Sequence, residues 1–426
     1  MADPHFMYRQ QHGGIDPKVE RKKTSARSWA KRLSGVLLVV GAIGLTAYSF
    51  AGTESPIGAV AIDATQTQKG AAIVATTNIG NVWVGQVTCA DKLSAEKCKA
   101  NTWLNLGGDF RDPSITVRSG STDTFHIVAI GKDDKAYSVD VTCAENCAVT
   151  GAKASPSPWQ MVPGRYGALA QVMTFSPLSP PVGATCEGTL LLEKTGTGKV
   201  LEAATCSDGS NSGELQPIVL RKNDDTIVED AIATKSVSAM YASNSFGRSI
   251  YLQTKTGEVS LMSDIGYNDQ PFVYENTVMA TKSLKQSSHA VTMQGTPGLT
   301  KIKAFGVRPD GTLAQYFQKG SNTSVEQIYS SLKDQKDIYT GLDGYIVRDD
   351  VNRFRYVFPI SPSNASTGSN AVDLGGGFPI AVVVDAKIFV IDDTGTLKMR
   401  TYAPKKDAVG TVTGVDQAKS QDWTKL

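Results

Sequence analysis

The chain has little of what most enzyme chemistry needs. Of its 426 residues only four are histidine, and two of these, His5 and His12, fall in a basic N-terminal tail. His126 and His289 remain, and each reads as a packed or rim histidine rather than a general base. No HExxH or GxSxG occurs, which removes the common metalloprotease and serine-hydrolase arrangements. No two cysteines stand in a CxxC spacing, so a zinc-ribbon site has no ligands. "EKTGTGKV" at Glu193 lacks the first glycine and the Ser/Thr of a phosphate loop, and it reads as a turn between strands. No cofactor or metal is expected. A basic stripe for nucleic acid is missing too. The net charge is +2, but residues 1–34 hold eight Lys/Arg against three Asp/Glu, so everything beyond them is slightly acidic.

One stretch lacks charge altogether: "LSGVLLVVGAIGLTAYSFAG", residues 33–52. As a helix it is just long enough for a bilayer core of ~30 Å. Lys18, Arg21, Lys22, Lys23, Arg27, Lys31 and Arg32 precede it, and the positive-inside tendency then keeps the tail in the cytoplasm and exports the rest. The expected organisation is a basic cytoplasmic tail (1–32), a transmembrane signal anchor (33–51), a linker (52–56) and one large domain (57–426). Ser49-Phe50-Ala51 also resembles a small-x-small processing site, so a cleaved signal peptide is the competing reading. Either way the bulk is expected in the periplasm or outside the cell.

Cysteine is absent before residue 89; all six, Cys89, Cys98, Cys143, Cys147, Cys186 and Cys206, lie beyond the apolar run. An even count in an exported domain points to disulfides. Pairing of neighbours is favoured because each pair flanks one strand or one loop.

What the sequence has in quantity is glycine, 40 residues of it, and a recurring pattern of strand, polar turn and strand. "TFHIVAIGKDDKAYSVDVTC" at Thr124 is one instance, and "AAIVATTNIGNVWVGQVTC", "RSIYLQTKTGEVSLMSD", "KIKAFGVRPDGTLAQYFQ" and "KIFVIDDTGTLKMRTY" are others. Seven such hairpins recur, each turn carrying Gly, Asp or Asn, the residues that tolerate positive φ. Each has an apolar strand before it and a short strand after it. Four strands per unit and seven units predict an all-β, seven-bladed propeller. Strands such as "FHIVAI" and "IFVI" are apolar on both faces, as a blade covered by two neighbours requires. The ring should close by side-chain packing between blades one and seven.

The stretch from Trp103 to Val141 resembles the repeats of tectonin-like and PLL-type lectin propellers. Trp103, Leu106, Gly107, Gly108, Pro113, Phe125, Gly131, Asp133 and Tyr137 fall in that repeat's places. The resemblance implies the propeller fold. It transfers no binding residue, since most other blades lack the tryptophan. Function is therefore expected to be non-enzymatic. The first expectation is a scaffolding subunit in a membrane-associated protein complex, with the lipid bilayer contacted through residues 33–51. The alternative is a carbohydrate-binding surface protein, and a propeller glycosidase using a carboxylate pair such as Asp224-Asp225, Glu229-Asp230 or Asp349-Asp350 is the third.

Overall fold

In the computed structural model the described residues are 56–90, 98–118, 120–143, 147–150, 157–175, 186–194, 199–206, 213–221, 234–241, 248–254, 259–264, 273–280, 291–296, 299–319, 323–329, 332–357, 371–408, 410 and 412–426. The tail, the apolar run, His289, and the carboxylate pairs Asp224-Asp225 and Glu229-Asp230 lie outside them. Among the described residues no helix is long and apolar enough to cross a membrane.

The polar turns do join antiparallel strands, and among the described residues the strands form seven blade sheets and one two-stranded ribbon, Pro404–Lys406 with Val412–Val415. Blade one holds Ala59–Thr67, Gly70–Thr77, Val82–Thr88 and Lys99–Gly107. Blade two holds Phe110–Val117, Thr124–Gly131 and Ala136–Cys143, with an outer strand split into Cys147–Val149 and Gln160–Met161. Blade three holds Leu169–Phe175, Cys186–Glu193, Val200–Cys206 and Gln216–Pro217. Blade four runs from Thr234–Tyr241 to Val273–Ala280 and blade five from Val291–Thr296 to Thr323–Tyr329. Blade six runs from Gln335–Gly341 to Ala371–Gly376. Blade seven starts at Ile380–Val384 and takes the C-terminal Thr424–Lys425 as its outer strand. Just after the outer strand of blade three, Val219–Arg221 crosses over and pairs in parallel with the outer strand of blade four.

Each sheet packs on the sheets before and after it, and blade seven packs on blade one. The core is therefore distributed between the blades. Ala72, Val74 and Val84 meet Ile115, Phe125 and Ile127 between blades one and two. Ile73, Ala75 and Val87 meet Phe389, Ile391 and Met399 at the seam. Alternate residues of one strand thus serve two interfaces, which is why Gly70–Thr77, Gly344–Asp349 and Lys387–Ile391 are buried along their whole length. Each large side chain in such an interface contributes ~1.5–3 kcal/mol, so closing the ring is strongly favoured.

The hairpins between second and third strands act as latches. In five of them the fourth residue of the turn takes a left-handed conformation: Gly80 (φ 87°), Asp134 (φ 59°), Gly311 (φ 78°), Asn352 (φ 61°) and Gly395 (φ 76°). In four of these the carbonyl of the left-handed residue accepts an N–H from the start of the next blade: Phe110 to Gly80 at 2.9 Å, Gln335 to Gly311 at 2.9 Å, Gly377 to Asn352 at 2.8 Å and, across the seam, Ala59 to Gly395 at 3.1 Å. Glycine is needed here for a second reason. A Cβ on Gly395 would lie 2.5 Å from the Cα of Gly58, and one on Gly311 would lie 2.8 Å from the backbone nitrogen of Asp334.

The tryptophan and Leu-Gly-Gly elements also work between blades. In blades one and six, Asn105-Leu106-Gly107-Gly108-Asp109-Phe110 and Asp373-Leu374-Gly375-Gly376-Gly377-Phe378 have the same spacing. The Asn105 and Asp373 side chains accept from the N–H of Gly107 (2.8 Å) and Gly375 (2.7 Å), shaping the turn. The Leu106 and Leu374 carbonyls then accept from Trp159 Nε1 and Trp423 Nε1 of the next blade, both at 3.2 Å. Those rings pack against Phe110, tilted, and Phe378, edge-on. Trp103 occupies the corresponding place at the seam, but among the described residues its Nε1 is buried without an acceptor.

A polar cleft between blades two and three

The two rims of the ring differ. The latches and the blade-to-blade connections lie on one, the hairpin rim. The opposite rim carries the loops between first and second strands, and it holds the cysteines. Cys89–Cys98 and Cys143–Cys147 are bonded, each joining the ends of a third and fourth strand. For the third expected pair only the backbone is described; its register sets Cys186 directly opposite Cys206.

Beside the Cys143–Cys147 bridge four polar side chains converge. Arg118 follows the first strand of blade two, His126 lies on its second strand and Asp140 on its third. Glu187 comes from the second strand of blade three. Cross-strand register puts His126 opposite Asp140, and their Nδ1 and Oδ1 are 2.9 Å apart. Arg118 Nη2 reaches Glu187 Oε2 at 2.9 Å and Asp140 Oδ2 at 3.3 Å, so one guanidinium ties two blades. Arg118 is more than a third exposed while Glu187 is buried: the cluster runs from the surface into the junction of the two blades.

Burial alone would push the Asp140 carboxyl up, but the His126 hydrogen bond and the charges of His126 and Arg118 outweigh it and hold Asp140 below the usual carboxylate range. That is the reverse of a general acid, which needs a carboxyl kept protonated near neutral pH. The glycosidase expectation finds no support here. Asp349, from another pair considered in the sequence, is buried and occupied structurally: it accepts from the Arg353 N–H at 2.7 Å and lies 3.3 Å from Arg355. The ligand atoms of His126, Asp140 and Glu187 lie within 4.8 Å of one another, a spacing a cation could use. Arg118 already supplies that positive charge, so the donor set does not call for a metal.

Of the six cysteines and one histidine the sequence singled out in this part of the chain, the structure brings His126, Cys143 and Cys147 to the same end of blade two. Arg118, Asp140 and Glu187 were missed. Alternation within "TFHIVAIGKDDKAYSVDVTC" could have paired His126 with Asp140, but nothing local points to a residue 47 positions beyond Asp140 on the next blade.

No protein-family model and no curated protein sequence matches the chain. Solved structures do. The chain is similar to the BP39L lectin from Burkholderia pseudomallei, with a TM-score of 0.55 at 12% identity over 87% of this chain and 100% of that one. The fucose-specific lectin from Aleuria aurantia (TM-score 0.43, 11% identity, 76% of this chain and 99% of that one) and AofleA from Arthrobotrys oligospora (0.39, 10%, 88% of each) also match. The likeness to the first establishes the fold, a β-propeller, as the Trp103–Val141 repeat implies.

Proposed function

We propose that this chain is a non-catalytic, membrane-anchored propeller that binds carbohydrate at the cluster formed by Arg118, His126, Asp140 and Glu187. The carrying observation is that cluster: charged donors and acceptors from two blades, half buried and pre-positioned, with Asp140 held in its charged form by His126 and Arg118. Sugar hydroxyls are recognised by such fixed charged partners, and each bond to a charged group contributes roughly 1.5–3 kcal/mol. The lectin identity of the structurally similar BP39L protein supports the reading. The anchor at residues 33–51 would hold the propeller on the exported face of a bilayer, in keeping with its disulfides.

The test is a glycan array probed with the full-length chain in mild detergent. Binding to a defined set of glycans is expected, and Glu187→Gln and Asp140→Asn should each weaken it by about tenfold or more. No binding on any array, together with stoichiometric co-purification of another membrane protein, would favour the scaffolding role instead. That second role rests on the rigid closed ring and would be untouched by the two substitutions.

A further inference from the structure

The large hydrophobic side chains that stay exposed are all at one end of the propeller. Among the described residues they are Ile57, Val60, Ile79, Met161 and Val351. Ile57 and Val60 stand where the chain enters blade one, and Ile79 and Val351 are hairpin tips of blades one and six. Met161 lies on the outer strand opposite Tyr137, near the hairpin of blade two. All belong to the hairpin rim or its edge, and none is on the rim with the disulfides and the polar cluster. Ile57, Ile79 and Val351 are the most exposed, at 82%, 69% and 65%.

The chain itself reaches the propeller at that rim. Gly58 and Ala59 are bonded into the hairpins of blades one and seven. The uncharged run ends at Gly52, and at ~3.5 Å per residue a linker over 52–56 spans at most about 18 Å. On the anchor reading, a tether this short would bring the bilayer within reach of the hairpin rim, where the chain enters blade one, rather than of the opposite rim.

We infer that the hairpin rim docks on the phospholipid bilayer that anchors the chain, with Ile57, Ile79 and Val351 inserted at the level of the acyl-chain boundary. This rests on the anchor reading above. The contact is apolar rather than electrostatic: Lys132 pairs with Asp109 and Arg353 approaches Asp373, so the nearby cations are matched by carboxylates. Docking in this pose turns the polar cluster away from the membrane, open to ligands outside.

The test uses the full chain reconstituted into phosphatidylcholine vesicles carrying a diazirine-labelled phosphatidylcholine, photolysed and mapped by mass spectrometry. Lipid adducts are expected on the peptides holding Ile57, Ile79 and Val351 as well as on 33–52, and none on those holding Arg118 or Cys143–Cys147. Raising the salt to about 1 M should leave them unchanged, because it screens charge and not apolar burial. The triple variant Ile57→Ser, Ile79→Ser, Val351→Ser should lower the hairpin adducts by about fivefold or more and spare those on 33–52. Adducts on 33–52 alone would overturn the docking while leaving the anchor intact. Adducts nowhere would overturn the anchor, and the docking with it.

Discussion

The two rims of this propeller solve different problems. On the hairpin rim, backbone carbonyls of left-handed residues accept from the next blade, and the same arrangement recurs at Gly80, Gly311, Asn352 and Gly395. On the opposite rim the device changes from one part of the ring to another. Blades one and two use the bridges Cys89–Cys98 and Cys143–Cys147. Between blades six and seven, the buried Tyr402 hydroxyl accepts from the Leu342 N–H and donates to the Asp385 carbonyl, both at 2.8 Å, while Tyr356 donates to the Leu342 carbonyl at 3.1 Å. Burial lifts the hydroxyl pKa of both tyrosines above the usual value, so they stay neutral donors. The backbone bond that repeats from blade to blade belongs to the hairpin rim, while the opposite rim joins its blades through side chains, among them those of the polar cluster.

The largest expected effect breaks a latch. Gly395→Val must place a Cβ against Gly58 and a β-branched residue in a left-handed conformation, at a cost of about 3 kcal/mol or more; thermal unfolding should show it, and Gly311→Val should behave alike. Next come the tryptophans. Trp423→Phe keeps most of the ring but leaves the Leu374 carbonyl without its donor, for a loss of roughly 1–3 kcal/mol. Trp103→Phe should lose less, because Trp103 Nε1 has no acceptor among the described residues. Opening the small Cys143–Cys147 loop with a double serine variant should destabilise by about 2 kcal/mol in the chain-entropy picture. It should also loosen the neighbouring cluster more than the hairpin rim, visible as faster amide exchange near Asp140.

The smallest effects are in the pH dependence. Asp63 on the first strand of blade one accepts from Ser114 Oγ (2.8 Å) and the Ile115 N–H (3.0 Å) of blade two. Burial raises its carboxyl pKa despite these bonds. A raised carboxyl binds its proton more readily in the folded state, so its contribution to stability falls as pH rises from ~4 through the folded value. Both donors meet one oxygen, which an amide can supply. Asp63→Asn should therefore stabilise the protein at pH 7 by on the order of 1 kcal/mol and flatten the acid limb of the stability curve. Asp140 has the opposite sign: its lowered pKa gives stability that is present above the unfolded value and lost on acidification through the folded one, and Asp140→Asn should remove it.

Most of the fold was legible because blades are local. Each hairpin joins strands a few residues apart, and the two-faced apolar strands announce neighbours on both sides. The Leu-Gly-Gly and tryptophan elements could be seen, but their purpose could not: the Trp159 bond to Leu106 and the Trp423 bond to Leu374 span 53 and 49 residues. The same distance in sequence hid the polar cluster. Arg118 looked like one more solvated charge until Glu187 was placed beside it by the packing of blade three on blade two. The shared outer edge at Val219–Arg221 was missed for a different reason, since a three-residue strand has too little pattern to declare which sheet it joins.

The closed ring is tested most directly at its seam, by residue-resolved hydrogen exchange of the Ala59 amide in the full-length protein. Bonded to Gly395 across blades seven and one, it should be protected to the same degree as the amides of Phe110 and Gln335, which make the corresponding bonds inside the ring. Rapid exchange at Ala59 with slow exchange at the other two would mean that blades one and seven are not joined.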